Sequence, residues 1–433
     1  MKKHYIYTLL FIMIGLSMQA QNPKLNKYTM GEGLKFTDNN NSTYTLTGFI
    51  QPSLEIKKYN SDSNDASYLR FRMRRLRFRF AGDLPKYKIE YRFQADFSGT
   101  PEVGDETNLA LFDAWVAYNP NKYLQIKFGQ SSNPTENLEL LMTSNSLQLP
   151  ERSRLTSAFA VAREFGIFVS GEFKASKNII LKPAVSLTNG DGPNTFNSNA
   201  GGFKYGGRLD ILTFGKFNHF GQFRQVDMAR ELTPKLLIGF TYSKNNGVSS
   251  RRGEASRTIN YLDNTGREAF PDYTKFGIDF LFKYKGFCVL GEYIQSRANV
   301  PNTITTRVRN DGTTSNSFLV NNVQDVSNYV KGRMMLGKAY NIQAGYLFRN
   351  RISIDARYTQ LKADEHSFLN NPTFYNRPKY YTLGVSKYLM RNYGFKIQGS
   401  ITYAELAAGS VDIKGSPINN NELISNMMVT FTF

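Results

Sequence analysis

Tyr68-Leu69-Arg70-Phe71-Arg72-Met73-Arg74-Arg75-Leu76-Arg77-Phe78-Arg79-Phe80 alternates fixed positive charge with apolar bulk. In an extended strand successive side chains point to opposite faces, so Arg70, Arg72 and Arg74 share one face. Arg75, Arg77 and Arg79 keep the same spacing but shift by one residue. A single β-bulge at Arg74–Arg75 returns all of them to one face and leaves Leu69, Phe71, Met73, Leu76, Phe78 and Phe80 on the other. An arginine facing lipid near the bilayer middle costs about 2–4 kcal/mol, so five or six would cost roughly 10–20 kcal/mol. That exceeds the net stability of a typical fold. The arginines are therefore expected to face water, in a row running roughly 30 Å along the strand.

The rest of the chain repeats the same unit. Ile89, Tyr91, Phe93, Ala95 and Phe97 alternate with Lys88, Glu90, Arg92, Gln94 and Asp96. Similar alternation predicts strands near 44–57, 68–82, 86–98, 109–119, 122–130, 163–173, 178–187, 203–214, 235–244, 273–285, 286–297, 339–348, 351–361, 379–389, 394–405 and 423–433. Tight connections at Asp83–Pro85, Pro120–Asn121, Ala175–Lys177, Gly286, Asn350 and Arg391–Tyr393 alternate with long ones at 131–162, 245–272, 298–338 and 362–378. The fold class is all-β: a transmembrane antiparallel β-barrel of about 16 strands, with short turns in the periplasm and long loops outside. Both termini then lie on the periplasmic side. The connection 215–234 is long where a short one belongs, which leaves room for an unrecognised strand. The Asn-, Thr- and Ser-rich loop 298–338 is expected to be mobile and external.

The flanks agree with export. Residues 1–20 read as a signal peptide, with Lys2 and Lys3 before the apolar stretch Tyr5 to Leu16 and Ala20 at the cut. An N-terminal membrane anchor is the alternative. Residues 21–43 are a polar periplasmic lead-in without strand alternation, and 44–433 form the barrel. The end, Met427-Met428-Val429-Thr430-Phe431-Thr432-Phe433, resembles the strand by which outer-membrane barrels are recognised for assembly. Cys288 is the single cysteine, so there is no internal disulfide or cysteine zinc site. The 26 Tyr and 33 Phe suit strands, and no later run is apolar enough for a membrane helix.

The formal charge of +19 points to anionic partners. Besides the ladder, parity turns Lys127, Lys182, Lys204, Arg208 and Arg357 inward, together with Glu90, Asp96 and Asp355. Pore-lining and anion-binding roles are expected for Arg70, Arg72, Arg74, Arg75, Arg77, Arg79, Lys127, Lys182 and Arg208. Rows of Arg and Lys are how anion pores select, and the guanidinium fork suits phosphate and carboxylate oxygens. The connection 131–162 carries Glu136, Glu139, Glu151, Arg152 and Arg154 and is read as an inward-folding constriction loop. Two plainer readings stand beside these: a ladder neutralised by that loop and purely structural, or a solvated external loop. Catalysis is disfavoured. After the signal only His219 and His366 remain, and Asp364-Glu365-His366-Ser367 lacks a Gly-x-Ser-x-Gly turn. A barrel enzyme and a surface adhesin rank below a channel. No metal spacing, cofactor motif or nucleic-acid role is expected.

The order Phe112-Asp113-Ala114-Trp115-Val116, Phe128-Gly129-Gln130, Pro134, Leu149-Pro150-Glu151-Arg152-Ser153, Ala158-Phe159 and Arg163-Glu164-Phe165-Gly166-Ile167 resembles the phosphate-selective porin O and P family. The resemblance implies an outer-membrane homotrimer of a Gram-negative bacterium, of sixteen strands, that takes up phosphate or related small inorganic or organic anions. It also implies that the arginines of 70–79 form the basic strand and that 131–162 forms the constriction, with Glu151, Arg152 and Arg154 on it. Here Ser131, Ser132 and Asn133 stand where the family commonly shows an aromatic and a Lys, and Thr135 follows the Pro. A general or carboxylate-preferring porin is therefore the second reading.

Overall fold

The computed structural model describes residues 24–25, 28–60, 66–102, 111–196, 201–248, 250–253, 260–309 and 311–433. The signal-peptide reading of 1–20 lies outside them. Each alternating stretch carries a strand: β1 (Thr43–Asn60), β2 (Ala66–Leu84), β3 (Ile89–Asp96), β4 (Leu111–Asn121), β5 (Leu124–Ser131), β6 (Glu164–Gly171), β7 (Ile180–Thr188) and β8 (Lys204–Leu212). The second half supplies β9 (Lys235–Asn245), β10 (Asp272–Tyr284), β11 (Phe287–Asn299), β12 (Gly337–Leu347), β13 (Ile352–Ala363), β14 (Lys379–Tyr388), β15 (Phe395–Glu405) and β16 (Asn421–Thr432). Each pairs antiparallel with the next, and β16 returns to β1 with Met427 opposite Leu54. Closure leaves no open edge, which is the condition for spanning lipid with strands. No helix among the described residues is long and apolar enough to cross a membrane.

The bulge lies where the arginine spacing puts it. Gln51 of β1 pairs with Arg75, and the next residue, Pro52, pairs with Met73, so Arg74 has no cross-strand partner. Proline has no N–H to give the ladder and is tolerated at such an irregularity. The faces separate accordingly: Phe71 is 77% exposed on the outside, whereas Arg75 is 0% exposed within. Tight turns use left-handed backbone where two-residue hairpins require it, with φ of 49° at Lys285 and 95° at Gly286.

Three stretches differ from the sequence expectation. Within the lead-in, Leu34–Thr37 forms a strand paired with the start of β1, Phe36 opposite Tyr44. Its four residues alternate too briefly to stand out from the polar run around them. Residues 213–234 contain no strand; they include a 3₁₀ turn at Asn218–Phe223 and bury Gln222, Gln225, Val226 and Asp227. Loop 298–338 carries ordered structure despite its polar composition. Thr306–Val308 pairs with Asn260–Leu262 of the preceding long loop, and Phe318, Tyr261, Phe270 and Val330 form an apolar cluster there.

The interior is also less polar than strict alternation implies. Segment 132–163 contains two short helices, α1 (Leu138–Leu141) and α2 (Arg154–Phe159). The Ser153 hydroxyl caps α2 by accepting from the Thr156 N–H at 3.1 Å. Leu155, Ala158 and Phe159 pack against Ile294, Ala339, Leu361 and Tyr380 of β11–β14. Leu138 and Met142 pack against Leu212, Leu237, Leu281 and Leu290 of β8–β11. Each such burial contributes roughly 1.5–3 kcal/mol per large side chain. The inward face of β8–β14 therefore mixes apolar docking sites with polar residues.

Candidate functional site

Polar contacts fasten segment 132–163 to strands around much of the barrel. Glu136 accepts from Lys204 of β8 at 3.0 Å and Lys275 of β10 at 2.7 Å. Glu139 accepts from Arg357 of β13 at 2.8 Å. The Leu147 carbonyl accepts from Lys396 of β15 at 2.6 Å, and that of Gln148 from Ser386 of β14 at 2.8 Å. Glu151 accepts from Arg72 and Arg74 of β2, each at 2.8 Å. Asn133 helps to build the segment's entry: its side-chain oxygen accepts from the Thr135 N–H and the Ser186 hydroxyl, each at 3.0 Å.

All six ladder arginines lie inside, and most meet carboxylates. Arg70 and Arg72 each lie 3.2 Å from Glu55. Arg75 donates to Glu102 at 2.8 Å, and Arg77 to Glu102 at 2.7 Å and Asp96 at 2.6 Å. Arg152 joins the same Glu102 at 2.8 Å, so one carboxylate collects three guanidiniums. Arg79 donates to Gln94 at 3.2 Å and has no carboxylate partner among the described residues. Burial pushes the Glu102 carboxyl up, but Arg75, Arg77 and Arg152 outweigh it and hold it well below its usual range. At Glu151 burial is likewise outweighed, by Arg74, Arg72 and Arg75, which hold its carboxyl down to about 2. Both acids are thus charged, and all of the ladder but Arg79 is engaged in ion pairs rather than standing as a bare row of cations. The sequence reading put all six arginines in water; the structure buries Arg74, Arg75 and Arg77, because Glu151, Glu102 and Asp96 repay the desolvation that would otherwise exclude them.

The other expected lining residues separate. Arg208 is buried between Asp210 and Asp279, both at 2.6 Å, and is not open to lumen water. Lys204 is buried between Glu136 and Glu164. Lys182 is partly exposed, 3.5 Å from Glu172. Lys127 lies over the Trp115 ring at 5.0 Å, and Arg92 lies over the same ring at 5.1 Å. Arg154 projects from α2 over the Tyr380 ring at 5.3 Å and makes no ion pair or hydrogen bond among the described residues.

Open space remains beside the upper ladder. A cavity of about 520 Å³ is lined by Lys57, Arg70, Arg72, Arg74, Arg152, Arg154 and Arg357, with Glu55 and Glu151 as its acids. Thr359, Thr382, Thr402, Ser400 and Asn426 complete its wall. Basic side chains outnumber carboxylates along it.

Two features have no signal in the alternation. Glu102 lies in a polar connection, and nothing in its neighbourhood marks it as the hub of three arginines. The connection 213–234 turns into the barrel and meets segment 132–163. The Gln225 side chain accepts from the Gln148 N–H at 2.8 Å and donates to Glu139 at 3.1 Å. The Lys283 ammonium holds this turn by donating to the carbonyls of Gly221, Arg224 and Val226 at 2.8, 2.8 and 3.1 Å.

A family model described as phosphate-selective porin O and P matches residues 47–313. No curated protein matches the sequence. Among solved structures, the chain is similar to OmpT, an outer membrane protein of Vibrio cholerae described in a trimer form, at 9% identity and TM-score 0.48, covering 90% of this chain and 99% of that one. It is similar to the outer membrane channel DcaP of Acinetobacter baumannii at 11% identity and TM-score 0.49, covering 93% and 100%. It is also similar to OprB of Pseudomonas putida at 11% identity and TM-score 0.48, covering 90% and 94%.

Proposed function

This chain belongs to the phosphate-selective porin O and P family, and from that premise we propose that its channel passes small anions by passive diffusion. It is a porin of the Gram-negative outer membrane. The observation that carries the anion preference is the cavity beside the upper ladder, where bases outnumber acids and Arg154 makes no ion pair among the described residues. Fixed cations in a narrow wet passage raise the local concentration of anions and lower their barrier to entry. Segment 132–163 acts as the constriction, with Glu151, Arg152 and Arg154 at its narrowing. Arg70, Arg72 and Arg74 lead anions towards it, while Arg79, Arg92 and Lys127 serve the far side.

The reversal potential across a planar bilayer under a potassium chloride gradient tests this. An anion-selective potential is expected, and a cation-selective one overturns the reading. Phosphate titration then separates the two porin readings. Saturable block of chloride current marks a phosphate site. Unaffected current favours the general or carboxylate-preferring porin, which the carboxylates already matched to the ladder support. We further propose, from the family, a homotrimer, tested by the mass of the detergent-extracted complex. Removal of residues 1–20 is proposed as well, tested by N-terminal sequencing, with Gln21 expected first.

A further inference from the structure

We propose that the cavity beside the upper ladder selects small hydroxylated anions, that is, sugar acids or sugar phosphates carrying one anionic group, over bare inorganic oxyanions. The inference rests on the anion reading above and names its substrate class.

Three observations lead there. The first is how little free charge remains. Arg70, Arg72 and Arg74 already hold Glu55 and Glu151, Lys57 lies 2.6 Å from Glu422, and Arg357 holds Glu139. Arg152 holds Glu102, so among the described residues Arg154 is the lining guanidinium without an ion pair, and a compact, multiply charged oxyanion meets one fork and not a cage. A single carboxylate or phosphate group matches that fork.

The second is the hydroxyl wall. Thr382 of β14 and Thr402 of β15 are cross-strand partners, and their hydroxyls lie 2.9 Å apart. A hydroxyl has one donor and two acceptor positions, so this pair keeps hydrogen-bonding capacity for a solute. Thr359 is opposite Tyr380 on the neighbouring strands, and Ser400 is opposite Asn426. Thr359 is buried and donates to Asn341 at 2.8 Å, so Thr382, Thr402, Ser400 and Asn426 of β14–β16 are the polar side chains that face the cavity into which Arg154 projects.

The third is size. About 520 Å³ lies within the range of small-molecule sites, ~300–1,000 Å³. A bare phosphate would leave most of it to water. A sugar ring fills it and places hydroxyls against the threonines while its anionic group meets Arg154.

The test uses the purified protein in planar bilayers in potassium chloride, with glucuronate, glucose 6-phosphate, glucose, acetate and inorganic phosphate added in turn. Glucuronate or glucose 6-phosphate is expected to block at a concentration about tenfold below phosphate, acetate or glucose, the ratio expected from one or two added hydrogen bonds. Whichever of the two blocks at lower concentration identifies the anionic group. The Thr382→Val/Thr402→Val variant keeps shape and charge; it is expected to lose that advantage and to be blocked by glucuronate and inorganic phosphate at similar concentrations. Arg154→Gln is expected to weaken block by both sugar anions but not by glucose. Inorganic phosphate blocking as well as the sugar anions, or glucose blocking as well as glucuronate, overturns the proposal. So does a double-valine variant that retains the full advantage. A cation-selective reversal potential instead sinks the anion reading beneath it.

Discussion

Arg75 and Glu102 meet at 2.8 Å with both side chains shut away from water. The pair joins the barrel wall to a connection between strands, and Arg77 and Arg152 share its carboxylate. Glu102→Gln leaves three guanidiniums around a neutral amide. Breaking a buried ion pair by removing one partner costs about 3–5 kcal/mol. The variant is expected to unfold at a clearly lower temperature, followed by circular dichroism in detergent. A melting curve matching the parent's would remove Glu102 from its place as the hub.

The bulge predicts which deletions the barrel accepts. Removing Arg74 restores regular pairing with Arg70, Arg72, Arg75, Arg77 and Arg79 still inside. Removing Met73 instead lets the strand pair regularly only with Arg74 on the lipid face, at about 2–4 kcal/mol. Heat-modifiable mobility on gels, which reports the folded fraction, should show near-parental folding for the first deletion and less for the second. Equal folding would mean that the bulge does not set the register.

Acid should act on segment 132–163 late. The Glu151 carboxyl is depressed to about 2 when folded, against roughly 4.3 in an unfolded chain. Its ion pairs with Arg72 and Arg74 therefore contribute stability that is full above the unfolded value and is lost as pH falls towards the folded one. The difference in single-channel conductance between the parent and Glu151→Gln is expected to stay level from neutral pH to about pH 5, then shrink as pH drops from about 4 towards 2. Glu151→Gln should show its altered conductance already at neutral pH. A conductance step near pH 6 would point to another group.

Lys283 offers a test of the turn that enters from the short-turn side. Its ammonium donates to three carbonyls of residues 221–226. Lys283→Met fills similar space but leaves those carbonyls unpaired, at about 1–3 kcal/mol for each one that water cannot reach. A noisier open-channel current is expected as the turn loosens against Gln148 and Glu139. A current as quiet as the parent's would show that the turn is held without the lysine.

The barrel was legible because a strand's period of two is written residue by residue. Phe71 beside Arg72 declares which side is lipid without knowledge of any partner. The bulge was legible for the same reason, since two consecutive arginines cannot both face inward on a regular strand. The matching of charges was not. Arg208 and Asp210 share a face and could be paired from spacing alone, but Asp279, 71 residues on, could not. Glu102 and Gln225 lie in connections, where no period says which way a side chain points. The inward leucines at 237, 281 and 290 defy alternation because they answer to α1, whose docking exists only in three dimensions.

A membrane barrel ordinarily exports its apolar residues to lipid and leaves its stability in the hands of that solvent. Leu155 and Phe159 against Ile294 and Leu361, with Leu138 against Leu281, give this one a dry nucleus of its own. Extraction by a micelle exchanges the solvent around the outer face and leaves that nucleus untouched. Those two inward clusters are held as a water-soluble core is held, by burial within the protein, and that part of the cohesion does not depend on lipid.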